Sequence, residues 1–264
     1  MQGVGVMNLG LSKQLFIVGG ASSGLGGAVA EALLAEGAVI VAVARNRDRL
    51  EHLKSMAPDR VETVAGDITN LEVMTSIFNT VGDRQLHGVL VNAGGPPAKT
   101  FLETTLEDWD KAYANLVRWK VALTKLAVSK MMSFHYGRIV YIESSSVKQP
   151  IENLVLSNSL RLAVVGFVKT LSQEVAASGI GLNVLAPGSH DTPAIVRVHQ
   201  KTSEQTGLSL DEARTRAIGQ IPVGALGRPE DFASLAAWLL SPASRYVTGQ
   251  TITVDGGVVK GTFG

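Results

Sequence analysis

Seven short runs rich in β-branched and apolar residues alternate with longer stretches of helical periodicity, and this alternation constrains the fold most. The runs are LFIV at 15–18, AVIVAVA at 38–44, VETVA at 61–65, GVLVN at 88–92, RIVYI at 138–142, GLNVLA at 181–186 and TITVD at 251–255. Most are apolar on both faces. A half-exposed antiparallel strand alternates apolar with polar residues, whereas a parallel strand covered by helices on both sides reads as a continuous apolar run. The chain is therefore expected to be α/β: one doubly wound domain over 1–264, with a seven-stranded parallel sheet and helices on both faces. In such a sheet the ligand belongs at the carboxyl ends of the strands.

Composition limits the partners. With 264 residues, 45% of them hydrophobic and 18% charged, the chain is long enough to bury about three quarters of its unfolded surface in one core. The absence of cysteine excludes disulfides and thiolate metal sites, and no metal site is expected. A net charge of +1 leaves no electrostatic footprint for nucleic acid or an acidic membrane, so the expected partner is a small molecule. The opening MQGVGVMNLGLSK has neither the basic start nor the apolar run of a secretory signal. Uncharged stretches all fall short of the ~20 residues a membrane span needs. A soluble, cytoplasmic protein is the expectation.

The first strand runs into GGASSGLGGAVAEALLAEGA, residues 19–38, which sets Gly20, Gly24 and Gly26 between a strand and an amphipathic helix. Glycines there permit a tight turn and let a pyrophosphate approach backbone N–H groups at the positive end of the helix dipole. Roughly 20 residues later, an NAD site would place an acidic side chain on the ribose. The chain instead reads Ala44, Arg45, Asn46. An arginine at that place suits a 2′-phosphate, which points to NADP in preference to NAD.

Five motifs in order then resemble the short-chain dehydrogenase/reductase family over nearly the whole chain. GGASSGLG at 19–26 resembles its TGxxxGxG, GDIT at 66–69 its adenine-contacting segment, and VNAG at 91–94 its NNAG. NVLAPGSHDT at 183–192 is similar to N-x-x-x-PG-x-x-x-T, and residues 227–257 are similar to the family's last helix and strand. The resemblance implies a Rossmann domain, a nicotinamide cofactor, and hydride transfer to or from a carbonyl or alcohol carbon. By matching position it places Ser22, Ser23, Gly24 and Leu25 on the phosphates, with Asp67, Ile68, Asn92, Ala93 and Gly94 on the adenosine side. Pro187, Gly188 and Thr192 would line the nicotinamide, with His190 in the same segment.

Hydride addition turns a carbonyl oxygen into an alkoxide, so a donor must hold that oxygen and an acid must deliver a proton. The family uses Ser, Tyr and Lys, with an asparagine completing a relay. Asn115 in YANLVRWK fits the asparagine, and Ser144 in IVYIESSSV stands thirteen residues before the tyrosine position. At that position the chain has Ser157, and four residues later, where the lysine belongs, it has Arg161. Tyr141 lies inside a predicted strand and Tyr136 precedes the turn at Gly137, so no small gap shift restores the motif.

Serine is too short to reach where a tyrosine hydroxyl would stand, and general-acid help worth about 10² to 10⁴ in rate is lost unless replaced. Lys148, four residues beyond Ser144, and His190 are the candidate replacement acids, and the favoured scheme has Lys148 donating the proton, Ser157 holding a water or the substrate oxygen, and Ser144 binding the carbonyl. Two function classes follow: an NADP-dependent oxidoreductase resembling the 3-oxoacyl-carrier-protein reductases with an altered proton-delivery group, or a non-catalytic NADP-binding protein. Residues 189–228 are expected to form a helical substrate lid, and the resemblance further implies a homotetramer that pairs the helices carrying Asn115 and Ser157 and packs the last helix and strand, which here run on into the apolar VVKGTFG.

Overall fold

In a computed structural model the described residues are 8–262; the first seven residues of the opening segment and the last two of the tail lie outside them. The strands are β1 (Leu15–Gly19), β2 (Val39–Ala44), β3 (Val61–Ala65), β4 (Gly88–Val91), β5 (Gly137–Ile142), β6 (Ile180–Pro187) and β7 (Thr251–Val254). The helices are α1 (Gly24–Ala35), α2 (Arg47–Met56), α3 (Leu71–Val81), α4 (Leu106–Tyr113), α5 (Trp119–Met132), α6 (Val155–Val175), α7 (Pro193–Thr206), α8 (Leu210–Ile218) and α9 (Pro229–Leu240). All seven strands form one parallel sheet in the order β3-β2-β1-β4-β5-β6-β7. The order reverses between β1 and β4, and a crevice opens at such a switch point.

Alternation along each strand divides the core in two. Phe16, Val18, Ile40, Val140 and Leu185 face one way, and pack with Val29 and Leu33 of α1, Leu50 of α2 and Phe232 and Leu240 of α9. Ile17, Val41, Val89, Tyr141 and Val184 face the other way, against Met74 and Ile77 of α3, Leu123 of α5 and Val164 and Val168 of α6. These residues are buried on both faces, which is why the strands read as continuous apolar runs.

Strand ends differ from the sequence reading by no more than one residue each, and two of these differences shape the site. β4 stops at Val91, and Asn92 leaves the ladder to donate its amide to the Gly19 carbonyl across the switch point, 3.2 Å away. β6 extends to Pro187 because its neighbour β7 pairs with it that far, Pro187 standing opposite Val254. Asn183 tightens this junction by accepting from the Gln250 N–H at 3.1 Å and donating to the Val247 carbonyl at 2.9 Å. Beyond β6, α7 and α8 form an excursion whose two ends are laced together. The Gly227 N–H donates to Ser189 at 3.0 Å, and the Asp191 N–H donates back to Gly227 at 2.8 Å. Among the described residues no helix is long and apolar enough to cross a membrane.

Candidate active site

At the switch point lies a groove of about 700 Å³. Its first wall is the turn after β1. Gly20 (φ +68°) and Gly24 (φ +57°) hold left-handed backbone that a side chain would strain. Gly26 is buried behind the turn rather than in the groove wall, and a Cβ there would run into the Gly20 carbonyl oxygen. Ser23 occupies the N-cap of α1 without a side-chain cap bond, so no side chain there competes for the first-turn N–H groups. Ser22, Ser23, Gly24 and Leu25 line the groove beside this helix start. The cradle thus fits a pyrophosphate, with bare backbone donors, a favourable dipole and no side chain in the way.

The adenosine side is shaped by Asp67 and Ile68 after β3 and by Asn92, Ala93 and Gly94 after β4, all lining the groove. The Asp67 carboxylate is steadied by the Thr69 N–H at 3.0 Å and the Thr69 hydroxyl at 2.9 Å. Arg45 also lines it, as expected, joined by two arginines the sequence reading missed. Arg49 comes from the first turn of α2 and Arg197 from the start of α7, and both line the groove with Arg45. None of the three takes part in an ion pair among the described residues. Three exposed guanidinium groups around one groove suit a ligand with several phosphates, including a ribose 2′-phosphate.

The other end is made of side chains. Asn115 and Thr192 line the groove there. Asn115 sits in a π-helical turn, Ala114–Arg118, and its carbonyl accepts from the Trp119 indole at 2.8 Å. Ser144, Ser157 and Arg161 stand behind these and are not themselves among the lining residues. Ser144 caps a short 3-10 turn after β5; its Oγ accepts from the Ser146 N–H at 3.1 Å, which leaves its own hydrogen to donate elsewhere. Ser157, buried in the first turn of α6, accepts from Arg161 Nε at 3.0 Å. Arg161 NH1 donates to Glu143 Oε2 at 2.9 Å, and Glu143 Oε1 is bound by Lys120. The third nitrogen of Arg161 comes to the groove wall: a Cβ placed on Gly95 would stand 3.0 Å from it.

Lys120 and Glu143 are the functional candidates that sequence reasoning passed over, although a signal was present. Glu143 directly follows the fully buried strand β5, and Lys120 falls in the inward stripe of α5 with Leu123, Ala127 and Met131. Their side chains are 3% and 0% exposed for Lys120 and Glu143 respectively. Burial holds the Lys120 ammonium below its ordinary pKa; Glu143 opposes that shift and the Arg161 charge adds to it.

Other candidates lie elsewhere. Lys148 is half-buried as the C-cap of the 3-10 turn, its N–H on the Ser145 carbonyl, and is not among the residues lining the groove. His190 is buried edge-on against Phe232, with Nδ1 3.2 Å from the Gly188 carbonyl, and is not among the residues lining the groove. Burial lowers its pKa, with Gly188, Asp231 and Asp255 opposing. Pro187 and Gly188 close the β6 end: the Gly188 N–H donates to the Val254 carbonyl at 2.9 Å, and a Cβ on Gly188 would stand 2.7 Å from that of Asp255. None of the four tyrosines lines the groove. Tyr141 is fully buried with its hydroxyl 2.6 Å from Thr124, and Tyr136 packs with His87 and Arg138, the latter at the start of β5.

Comparison with known proteins agrees with this geometry. A family model described as Enoyl-(Acyl carrier protein) reductase matches residues 20–259. The 3-oxoacyl-[acyl-carrier-protein] reductase FabG of Vibrio cholerae serotype O1 is 29% identical over 255 residues, covering 95% of this chain and 99% of the relative. The NADPH-dependent reductase BacG of Bacillus subtilis is 28% identical over 257 residues, with 95% and 99% covered. Among solved structures, L-sorbose reductase from Gluconobacter frateurii, complexed with NADPH and L-sorbose, superposes with a TM-score of 0.90 at 29% identity, covering 97% of this chain and 100% of that one. A seven-stranded parallel sheet, a glycine cradle at its switch point and a family match across 20–259 lead to one assignment: the chain belongs to the short-chain dehydrogenase/reductase family.

Proposed function

We propose that this chain is an NADP-dependent oxidoreductase that moves a hydride between the nicotinamide and the carbonyl or alcohol carbon of a small molecule, a 3-oxoacyl thioester being the leading substrate class. NADPH-dependent relatives and the three groove arginines support the cofactor. The glycine cradle would hold the pyrophosphate, Arg45 and Arg49 the 2′-phosphate, and Thr192 and Asn115 would flank the nicotinamide. When bound, the cofactor supplies the hydride.

The observation that carries the reading is the Ser157–Arg161 pair beside the groove wall at Gly95. With a cationic N–H on its lone pair, the Ser157 hydroxyl keeps its hydrogen free for a substrate oxygen, as does Ser144. Two O–H donors backed by a guanidinium favour charge developing on that oxygen. A serine and an arginine hold an alkoxide rather than protonate it, so the final proton comes from water. On this reading Lys148 shapes the 3-10 turn, and residues 189–228 act as a lid on a single cytoplasmic domain that assembles as a homotetramer.

NADPH oxidation against ketones, aldehydes and 3-oxoacyl thioesters, run beside a fluorescence titration of NADPH, tests the proposal. Turnover of one class supports it, and tight binding without any turnover assigns the chain to nucleotide sensing instead. Lys148→Met is expected to leave turnover within about threefold; a loss beyond about 10² would return the proton-donor role to Lys148. Light scattering at micromolar concentration reads the assembly, where a monomeric mass would remove the tetramer from the proposal.

A further inference from the structure

Arg161 has three guanidinium nitrogens, and each faces something different: NH1 the Glu143 carboxylate, Nε the Ser157 hydroxyl, and NH2 the groove wall at Gly95. An arginine and a free carboxylate prefer a two-pronged contact that uses two nitrogens and both oxygens. Here the contact is single: one guanidinium nitrogen meets one carboxylate oxygen, Lys120 competes on the other, and Nε is engaged by Ser157. We propose that Glu143 and Lys120 are positioning residues, a buried pair that restricts Arg161 to one carboxylate oxygen and so keeps its other nitrogens on Ser157 and toward the nicotinamide end of the groove.

Stability alone does not account for such a pair. Apolar residues of similar volume would be as stable as a buried ion cluster, often more so. The cluster also sums to one net positive charge, two cations against one carboxylate, and it lies directly behind the hydroxyl that would meet a developing negative oxygen. The depressed Lys120 pKa agrees with crowding by the second cation. Lys120 is linked to the groove residue Asn115 through Trp119 as well. Its ammonium lies 5.8 Å from the ring centroid of Trp119, whose indole N–H secures the π-turn at Asn115.

The activity arm of the test rests on the oxidoreductase reading; the chemical arm does not. Phenylglyoxal labelling of Arg161, followed by peptide mass spectrometry without cofactor, reports how firmly the guanidinium is held. Glu143→Gln should speed the labelling by about fivefold or more, and an unchanged rate overturns the proposal. In NADPH titrations Glu143→Gln should weaken binding by about fivefold in the natural background but by less than about twofold in an Arg161→Met background. Additive losses would mean that Glu143 does not act through Arg161.

Should Glu143→Gln fail to fold by circular dichroism, Lys120→Met carries the test, since Glu143 and Arg161 can still pair. It should keep NADPH affinity within about threefold while lowering kcat for the best carbonyl probe about tenfold, because the guanidinium can then swing to a two-pronged contact and release Ser157. Unchanged kcat overturns the proposal. A natural chain that binds no NADPH refutes the oxidoreductase reading, and the labelling comparison still decides the positioning.

Discussion

The two ends of the groove are built from different materials. At the phosphate end the cradle is backbone, a glycine turn and the start of α1, and exposed arginine side chains line the same groove. At the end proposed as catalytic the order comes from side chains, Lys120, Glu143 and Ser157 buried and Arg161 partly so, each bonded to the next. A backbone cradle depends on φ and on the absence of side chains, so its sequence must keep the same glycines. A side-chain network depends on charge and shape, and one set of partners can be exchanged for another when the exchange is made together. That difference explains how the phosphate end keeps the family's motif while the tyrosine and lysine positions carry serine and arginine.

If the catalytic end is a mutually dependent network, removing its central carboxylate should have the largest effect in the molecule. Glu143→Ala leaves two buried cations with no anion between them. Breaking a buried ion pair by deleting one partner costs about 3 to 5 kcal/mol, and urea unfolding is expected to show a loss of that order. A loss below about 1 kcal/mol would mean that water or relaxation replaces the carboxylate easily, and the contrast between the two ends would weaken. The phosphate end predicts a smaller and more local effect. Arg45→Ala should cost about 1.5 to 3 kcal/mol of NADPH binding, roughly ten- to 150-fold in Kd, with NADH binding and unfolding little changed. An equal loss for both cofactors would place Arg45 on the pyrophosphate rather than the 2′-phosphate.

The same contrast governs what the sequence could disclose. The sheet was legible because burial on both faces leaves runs such as LFIV and AVIVAVA with no polar alternation. The phosphate cradle was legible because a positive-φ turn leaves glycines at fixed offsets, and Arg45 because it stands at a fixed distance beyond them. Arg197 was not, since it reaches the groove only through the entry angle of α7. Ser157 and Arg161 were noticed as departures, but their meaning depends on Glu143 and Lys120, which come from a strand end and a helix far apart in sequence. No local spacing links positions 120, 143 and 161. His190 shows how much packing adds: its place after PGS suggests the nicotinamide, and its ring also packs edge-on against Phe232, a contact no local spacing reveals.

The smallest expected effect separates a buried neutral group from the buried charges. Burial depresses the His190 pKa from the ordinary 6.5, although the Gly188 carbonyl and the Asp231 and Asp255 charges pull the other way. His87 is also depressed, again chiefly by burial. In the folded chain both imidazoles therefore release their protons at lower pH than in the unfolded chain. Between the depressed value and 6.5 the unfolded state binds more protons, so stability rises with pH in that window and falls on acidification. From pH 7 to pH 5 the urea midpoint should drop steadily, while carboxylates such as Asp108, held at about 2 chiefly by the Lys99 ammonium, remain charged and contribute no slope. His190→Gln should flatten part of that slope, leaving the share that belongs to His87. A slope unchanged by the substitution would show that His190 protonates as readily folded as unfolded, and that the Ser189–Gly227 lacing beside it opens to water; the catalytic-end network would then be the more tightly closed of the two regions.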